Sequence, residues 1–81
     1  MKLTIRFDKN ELLLMDTEDK HRIDTALEKL AEYNRWENED RFNIYWSYEF
    51  DSSKKRDVLR EINKIKRHYN SFIEYKIKEV V

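Results

Sequence analysis

The sequence predicts an α/β (α+β) two-layer sandwich: a mixed four-stranded sheet with two helices on one face, in the order β-β-α-β-α-β. Three observations carry that expectation. The stretch Arg41–Phe50, RFNIYWSYEF, alternates strictly, with Phe42, Ile44, Trp46, Tyr48 and Phe50 on every second residue. Successive strand residues point to opposite faces, so this reads as a half-buried strand with an aromatic wall on one side. Two other segments place apolar residues at the 3.6-residue spacing of a helix with one buried stripe. Shorter alternating segments stand at both ends of the chain.

Lys2–Phe7 alternates Leu3, Ile5 and Phe7 with Thr4 and Arg6, the pattern of a first strand. Asp8-Lys9-Asn10 follows. A three-residue hairpin loop wants a left-handed residue at its end, and Asn10 serves in the absence of glycine. Glu11–Met15 is then read as a second strand, with Leu12 and Leu14 inward and Leu13 and Met15 outward. A rival reading makes Asp8 with Glu11 a capping-box-like start and Leu12–Met15 a short helix; the hairpin is preferred. Thr17 is the expected N-cap of the first helix, whose acidic start suits the positive end of the helix dipole. Ile23, Ala26, Leu27, Leu30 and Ala31 form its stripe to about Tyr33–Trp36, and Glu37–Asp40 is an acidic connection. Asp51-Ser52-Ser53 is a second capping cluster, and Val58, Leu59, Ile62, Ile65 and Tyr69 are the stripe of the second helix. Asn70-Ser71 ends it, and Phe72–Val81 is the last strand, with Ile73, Tyr75 and Ile77 on one face.

Strand–helix–strand connections favour parallel neighbours. In general shape the layout resembles split β-α-β and ferredoxin-like domains, but the expected strand order departs from theirs and implies no family.

Composition excludes several chemistries. There is no cysteine, so disulfides and thiolate metal sites are out. There is no glycine, so phosphate-binding loops, Gly-x-Ser-x-Gly elbows and the glycine-containing aromatic motif of RNA-binding sheets are out. No apolar run approaches the ~20 residues of a membrane helix, and the N-terminus lacks the apolar core of a signal peptide; one cytoplasmic domain over residues 1–81 is expected. Proline and glutamine are also absent and alanine occurs twice, while Lys, Asn, Ile, Glu and Tyr abound. That bias points to an AT-rich genome, such as that of a low-GC bacterium, a phage or an archaeal virus. Net charge is zero, yet Asp8–Asp40 holds eleven acids against five bases and Ser53–Asn70 seven bases against two acids. The molecule is expected to be electrically polarised.

The uncovered sheet face is the first candidate site. Tyr45 and Phe72, with Leu13 and Met15 beside them and Arg6 nearby, would form a protein-binding or self-associating surface. Trp36 is a further anchor candidate, though a role in closing the core at the end of the helix is preferred for it, and the acids Asp24, Glu28, Glu32, Glu37, Glu39 and Asp40 offer a docking face for a basic partner. The alternative is nucleic acid, through Lys54, Lys55, Arg60, Lys64 and Arg67 on the second helix or through Arg6, Lys76 and Lys78 on the sheet. A third reading is a small ribonuclease using His68 beside Arg67 and Tyr69. His21 with Glu18 or Asp24 is too ordinary a surface pairing to imply a metal. No catalytic residue, metal, cofactor or membrane partner is expected. The expected role is a non-enzymatic regulator or inhibitor that binds another protein, encoded by a phage, virus or mobile element.

Overall fold

The computed structural model describes residues 1–69 and 73–79. The elements are β1 (Lys2–Asp8), α1 (Lys9–Leu14), α2 (Thr17–Glu28), β2 (Trp36–Glu39), β3 (Asn43–Glu49), a 3-10 turn over Ser52–Lys54, α3 (Lys55–Tyr69) and β4 (Ile73–Lys78). The strands lie in the order β2-β3-β1-β4, and every ladder is antiparallel.

β1 is central. Leu3, Ile5 and Phe7 are fully buried on its inner face and stand opposite Tyr48, Trp46 and Ile44 of β3 and Ile77, Tyr75 and Ile73 of β4. The inner row continues past the strand, where Met1 and Phe50 exchange backbone hydrogen bonds. Phe7 meets Trp46 edge to face, with ring centroids 4.7 Å apart, the arrangement that ring quadrupoles favour.

Two expectations are corrected here. Residues 9–14 form a helix, the rival to the preferred hairpin. The Asp8 carboxylate accepts from the Asn10 and Glu11 amides at 3.0 and 3.1 Å, satisfying donors that an isolated first turn leaves orphaned. A strand at Glu11–Met15 would also need a free edge of β1, and both edges are taken by β3 and β4. Leu12 alone of this helix is buried. The sheet, expected to be mixed, is antiparallel because the missing strand comes later: Trp36–Glu39, read as a connection, is β2 and pairs with β3.

With that exchange each helical connection skips one strand. β1 and β2 run the same way with β3 between them, and β3 and β4 do so with β1 between them. This is the split β-α-β arrangement of ferredoxin-like folds, so the strand order does match the pattern from which the sequence reading departed.

α2 starts one residue earlier than expected, with Asp16 and not Thr17 at the N-cap position. It stops at Glu28, well short of Tyr33–Trp36. The Glu32 amide goes to the Glu49 carbonyl at 2.9 Å, which turns the chain toward β3 and lets Trp36–Glu39 pair. The stripe is otherwise as expected: Ile23 and Leu27 are buried, and Ala26, Leu30 and Ala31 pack against them. α3 is entered through Asp51, whose carboxylate accepts from Ser53 N at 2.9 Å. That bond holds the Asp51 carboxyl below its ordinary pKa. Val58, Ile62 and Ile65 are buried, Tyr69 packs at the margin, and Leu59 is half-buried. The expected cap at Asn70-Ser71 and the ends of the last strand lie outside the described residues. Each of α1, α2 and α3 contributes buried residues to one cluster with the inner face of the sheet, which is the expected two-layer sandwich.

Ile62→Ala should cost about 3 kcal/mol by urea denaturation, as large-to-small changes at filled core sites do. Asp8→Ala should cost about 1 kcal/mol through its cap. Arg56→Ala, on the solvent side of α3, should change stability by less than about 0.5 kcal/mol.

Candidate functional site

The sheet face turned away from the helices has no covering element among the described residues. Register sorts its side chains into rows across the strands. Trp36, Ser47, Thr4 and Lys76 form one row. Asn38, Tyr45, Arg6 and Glu74 form the next, and Glu49, Lys2 and Lys78 a third. Of the expected face residues, Arg6, Tyr45, Lys76 and Lys78 are therefore brought together. Leu13 and Met15 are not, because their segment is helical and lies over the other face. Phe72 lies outside the described residues. Trp36 joins the face from β2, 41% exposed, and does not close the core. Its signal was the alternation of Trp36 and Asn38 with Glu37 and Glu39, masked by the charge of the segment. A groove of about 410 Å3 runs along this face between Thr4, Arg6, Tyr45, Glu74, Tyr75 and Lys76. Arg6 pairs with Glu74, Thr4 and Ser47 share a hydroxyl hydrogen bond of 3.2 Å, and the Lys2 ammonium lies 5.2 Å from the Trp36 ring centroid.

The β2–β3 turn is built on Asp40. Its carboxylate accepts from the Tyr45 hydroxyl at 2.7 Å and from the Phe42 and Asn43 amides at 2.9 and 2.8 Å. This is how an Asx residue replaces glycine turn chemistry. The Tyr45 bond, then the two amides, hold the Asp40 carboxyl below its ordinary value of 3.8, and the same bond raises the Tyr45 phenol above 10.0.

A second cleft of about 410 Å3 opens on the helical side, between α1, α2 and β2, and is lined in part by Leu13, His21, Ile44 and Trp46. Arg35 organises it. Its guanidinium lies 4.2 Å from the Trp46 ring centroid, pairs with Asp24 at 2.5 Å and reaches Glu37 at 3.9 Å. Asp24 also accepts from the Tyr48 hydroxyl at 2.8 Å, and Glu37 from Trp46 Nε1 at 2.7 Å. Burial, then the Asp24 bond, pushes the Tyr48 phenol far above its ordinary range. Both carboxylates are thus engaged in holding the aromatic residues of β3. The expected acidic docking face loses Asp24 and Glu37 to this network.

Where α1 meets the β2–β3 turn, Leu13, Leu14 and Phe42 are exposed by 68%, 82% and 66%. The Lys9 amide donates to the Phe42 carbonyl at 2.9 Å, which seats Phe42 at the start of α1, one helical turn before Leu13. Met15 is half-buried against the core.

On α3, Arg56, Arg60, Lys64 and Arg67 fall opposite the buried stripe. Arg56 was missed among the basic candidates; its position opposite Val58 and Ile62 was the signal. Arg60 pairs with Asp57 and Lys64 with Glu61. Lys54 and Lys55 turn elsewhere, to the Leu30 carbonyl and to Glu79; the Lys55 bond lowers the Glu79 carboxyl. His68 stacks edge-on against Tyr69 at 4.6 Å, beside Arg22 and Lys64. Burial, then a hydrogen bond to Asp19, raises the Tyr69 phenol. His21 lies 3.5 Å from Thr25 Oγ1. Among the described residues no group of three or more His, Asp and Glu side chains is placed to hold a metal ion, and no helix is long and apolar enough to cross a membrane.

Comparison with protein-family models, curated proteins and solved structures returned no match.

A depressed carboxyl pKa contributes stability that is present above its ordinary value and is lost as pH falls through the folded-state value. The Asp40 contribution is therefore complete above about pH 4 and lost below it. In an NMR titration the Asp40 carboxyl should titrate below 3.8, with protection of the Phe42 and Asn43 amides falling in step. Tyr45→Phe should move the midpoint upward; an unmoved midpoint would remove the Tyr45 bond as the leading cause. Asp24→Ala, which leaves the Tyr48 hydroxyl without its acceptor, should cost about 2 kcal/mol.

Proposed function

We propose that this is a non-enzymatic cytoplasmic protein that binds another protein through the end of the molecule where α1 meets the β2–β3 turn. The supporting observation is that Leu13 and Leu14 of α1 and Phe42 of the turn bonded to the start of α1 are three large apolar residues left exposed. Exposed apolar patches on small domains mark partner sites. α1 gives the core one residue, Leu12, and presents the two that follow it to solvent. The rim is mixed, with Glu11, Glu39 and Asp40 beside Lys9 and Arg41; Lys9 is paired with Glu39 and Arg41 lies over the Phe42 ring. The partner that fits is a folded protein with an apolar groove. A regulator or inhibitor encoded by a phage, virus or mobile element suits the glycine-free, AT-rich composition. The sheet-face candidates Tyr45 and Arg6 take a smaller part in this reading, because each is tied to a neighbour, Tyr45 to Asp40 and Arg6 to Glu74.

Leu13→Glu with Phe42→Glu tests the reading. Both sites are exposed, so the melting temperature should stay within about 3 °C of the parent. Affinity capture from a lysate should lose its specific band by at least tenfold. Capture that persists in the double variant and disappears with Tyr45→Ala would move the site to the sheet. Concentration-dependent sedimentation abolished by the same pair would make the partner a second copy of the chain.

A further inference from the structure

We infer that the open sheet face is a binding site for single-stranded nucleic acid, separate from the apolar end proposed above for a protein. The site is centred on the row Trp36–Ser47–Thr4–Lys76. Its two middle residues are short. Ser47 is buried and Thr4 half-buried, and their hydroxyls are hydrogen-bonded to each other. The rows on either side carry long side chains, Tyr45, Arg6 and Glu74 on one and Glu49, Lys2 and Lys78 on the other. The result is a trough across the strands with a hydroxyl floor. Three interstrand spacings put its two ends about 14 Å apart. At one end an indole stands partly exposed; at the other end is a lysine.

Charge selects the ligand. Lys2, Lys76 and Lys78 have no carboxylate partner among the described residues, whereas the Glu74 charge is met by Arg6. These three cations stand around the trough, Lys2 with its ammonium over the Trp36 ring, and Glu49 is the carboxylate in the row of Lys2 and Lys78. An anion with a flat π face fits both ends: a base stacks on Trp36, and its phosphates run over the hydroxyl floor to Lys76 and Lys78. Stacking on an exposed aromatic requires an unpaired base, which a duplex does not offer. An acidic peptide would meet the lysines but leave the indole unused. The basic face of α3 is the weaker candidate. Arg60 and Lys64 there are matched by Asp57 and Glu61 one turn away, and although Arg56 and Arg67 have no such match among the described residues, the outward positions Arg56, Arg60, Lys64 and Arg67 include no aromatic.

The experiment is a titration of the full chain with labelled oligothymidylate, oligouridylate and a duplex of equal length, read by anisotropy and by tryptophan fluorescence. Single strands should bind at low salt and quench the exposed Trp36 while the buried Trp46 stays unquenched, so that Trp36→Phe abolishes the quench. Trp36→Ala should weaken binding about tenfold or more, the range for loss of one stacked base. Lys76→Ala with Lys78→Ala should flatten the dependence of log K on log salt by about 1.4, two single-strand phosphate contacts. These lysines are exposed, so this pair tests the site even where a Trp36 variant is unstable. The Leu13→Glu/Phe42→Glu variant should bind the strand unchanged, which keeps the two sites distinguishable. The inference is overturned by tighter binding to duplex, by loss of binding in Arg56→Glu/Arg67→Glu with the sheet variants unaffected, by equal displacement with polyglutamate, or by no binding at low salt.

Discussion

The structure depends on the two-sided pairing of β1. Its inner residues Leu3, Ile5 and Phe7 are each fully buried, and its backbone is satisfied by β3 on one side and β4 on the other. A strand paired on both edges admits no third neighbour, and the rest of the chain is arranged around that limit. The segment after β1 cannot return as a hairpin and becomes a capped helix. The first helical connection must pass over β3 to reach the outer position of β2. The second must pass over β1 to place β4. Antiparallel ladders throughout follow from these two skips.

The same arrangement separates the functional surfaces. One face of the sheet is spent on the core, with helices α1, α2 and α3 against it. The other has no covering element among the described residues and is mostly polar, with its charges sorted by register. Glycine-free turns leave a mark on both sides. Asp8, Asp40 and Asp51 each turn the chain by accepting backbone amides, a task that short Asx side chains perform where glycine is missing. One of these turns, at Asp40, also anchors Tyr45 and presents Phe42, so turn chemistry and surface chemistry are coupled at the end of β3.

Much of the candidate surface was legible before folding. Alternation alone assigned Thr4, Arg6, Tyr45, Lys76 and Lys78 to the outward side. Trp36 was misplaced because four polar or charged neighbours, Glu37 to Asp40, look like a connection; an edge strand can be polar on both faces, since neither side need be packed. Leu13 was found as exposed for the wrong reason, as the outer face of a strand. The Arg35 network had no local signal at all: Asp24, Arg35, Glu37, Trp46 and Tyr48 meet only after α2 is laid against β3.

By itself the sequence determined the strands β1, β3 and β4 and the helices α2 and α3 with their one-sided burial, the sandwich they make, and the separation of acidic and basic stretches. These are local properties, set by side-chain period and by which residues tolerate which turns. Tertiary structure decided the identity of the fourth strand, the strand order and the direction of every ladder. It also decided which face Trp36 joins. The reason is that Asp8–Met15 and Trp36–Glu39 have weak local preferences, and pairing to β1 and β3, a long-range backbone interaction, outweighs them.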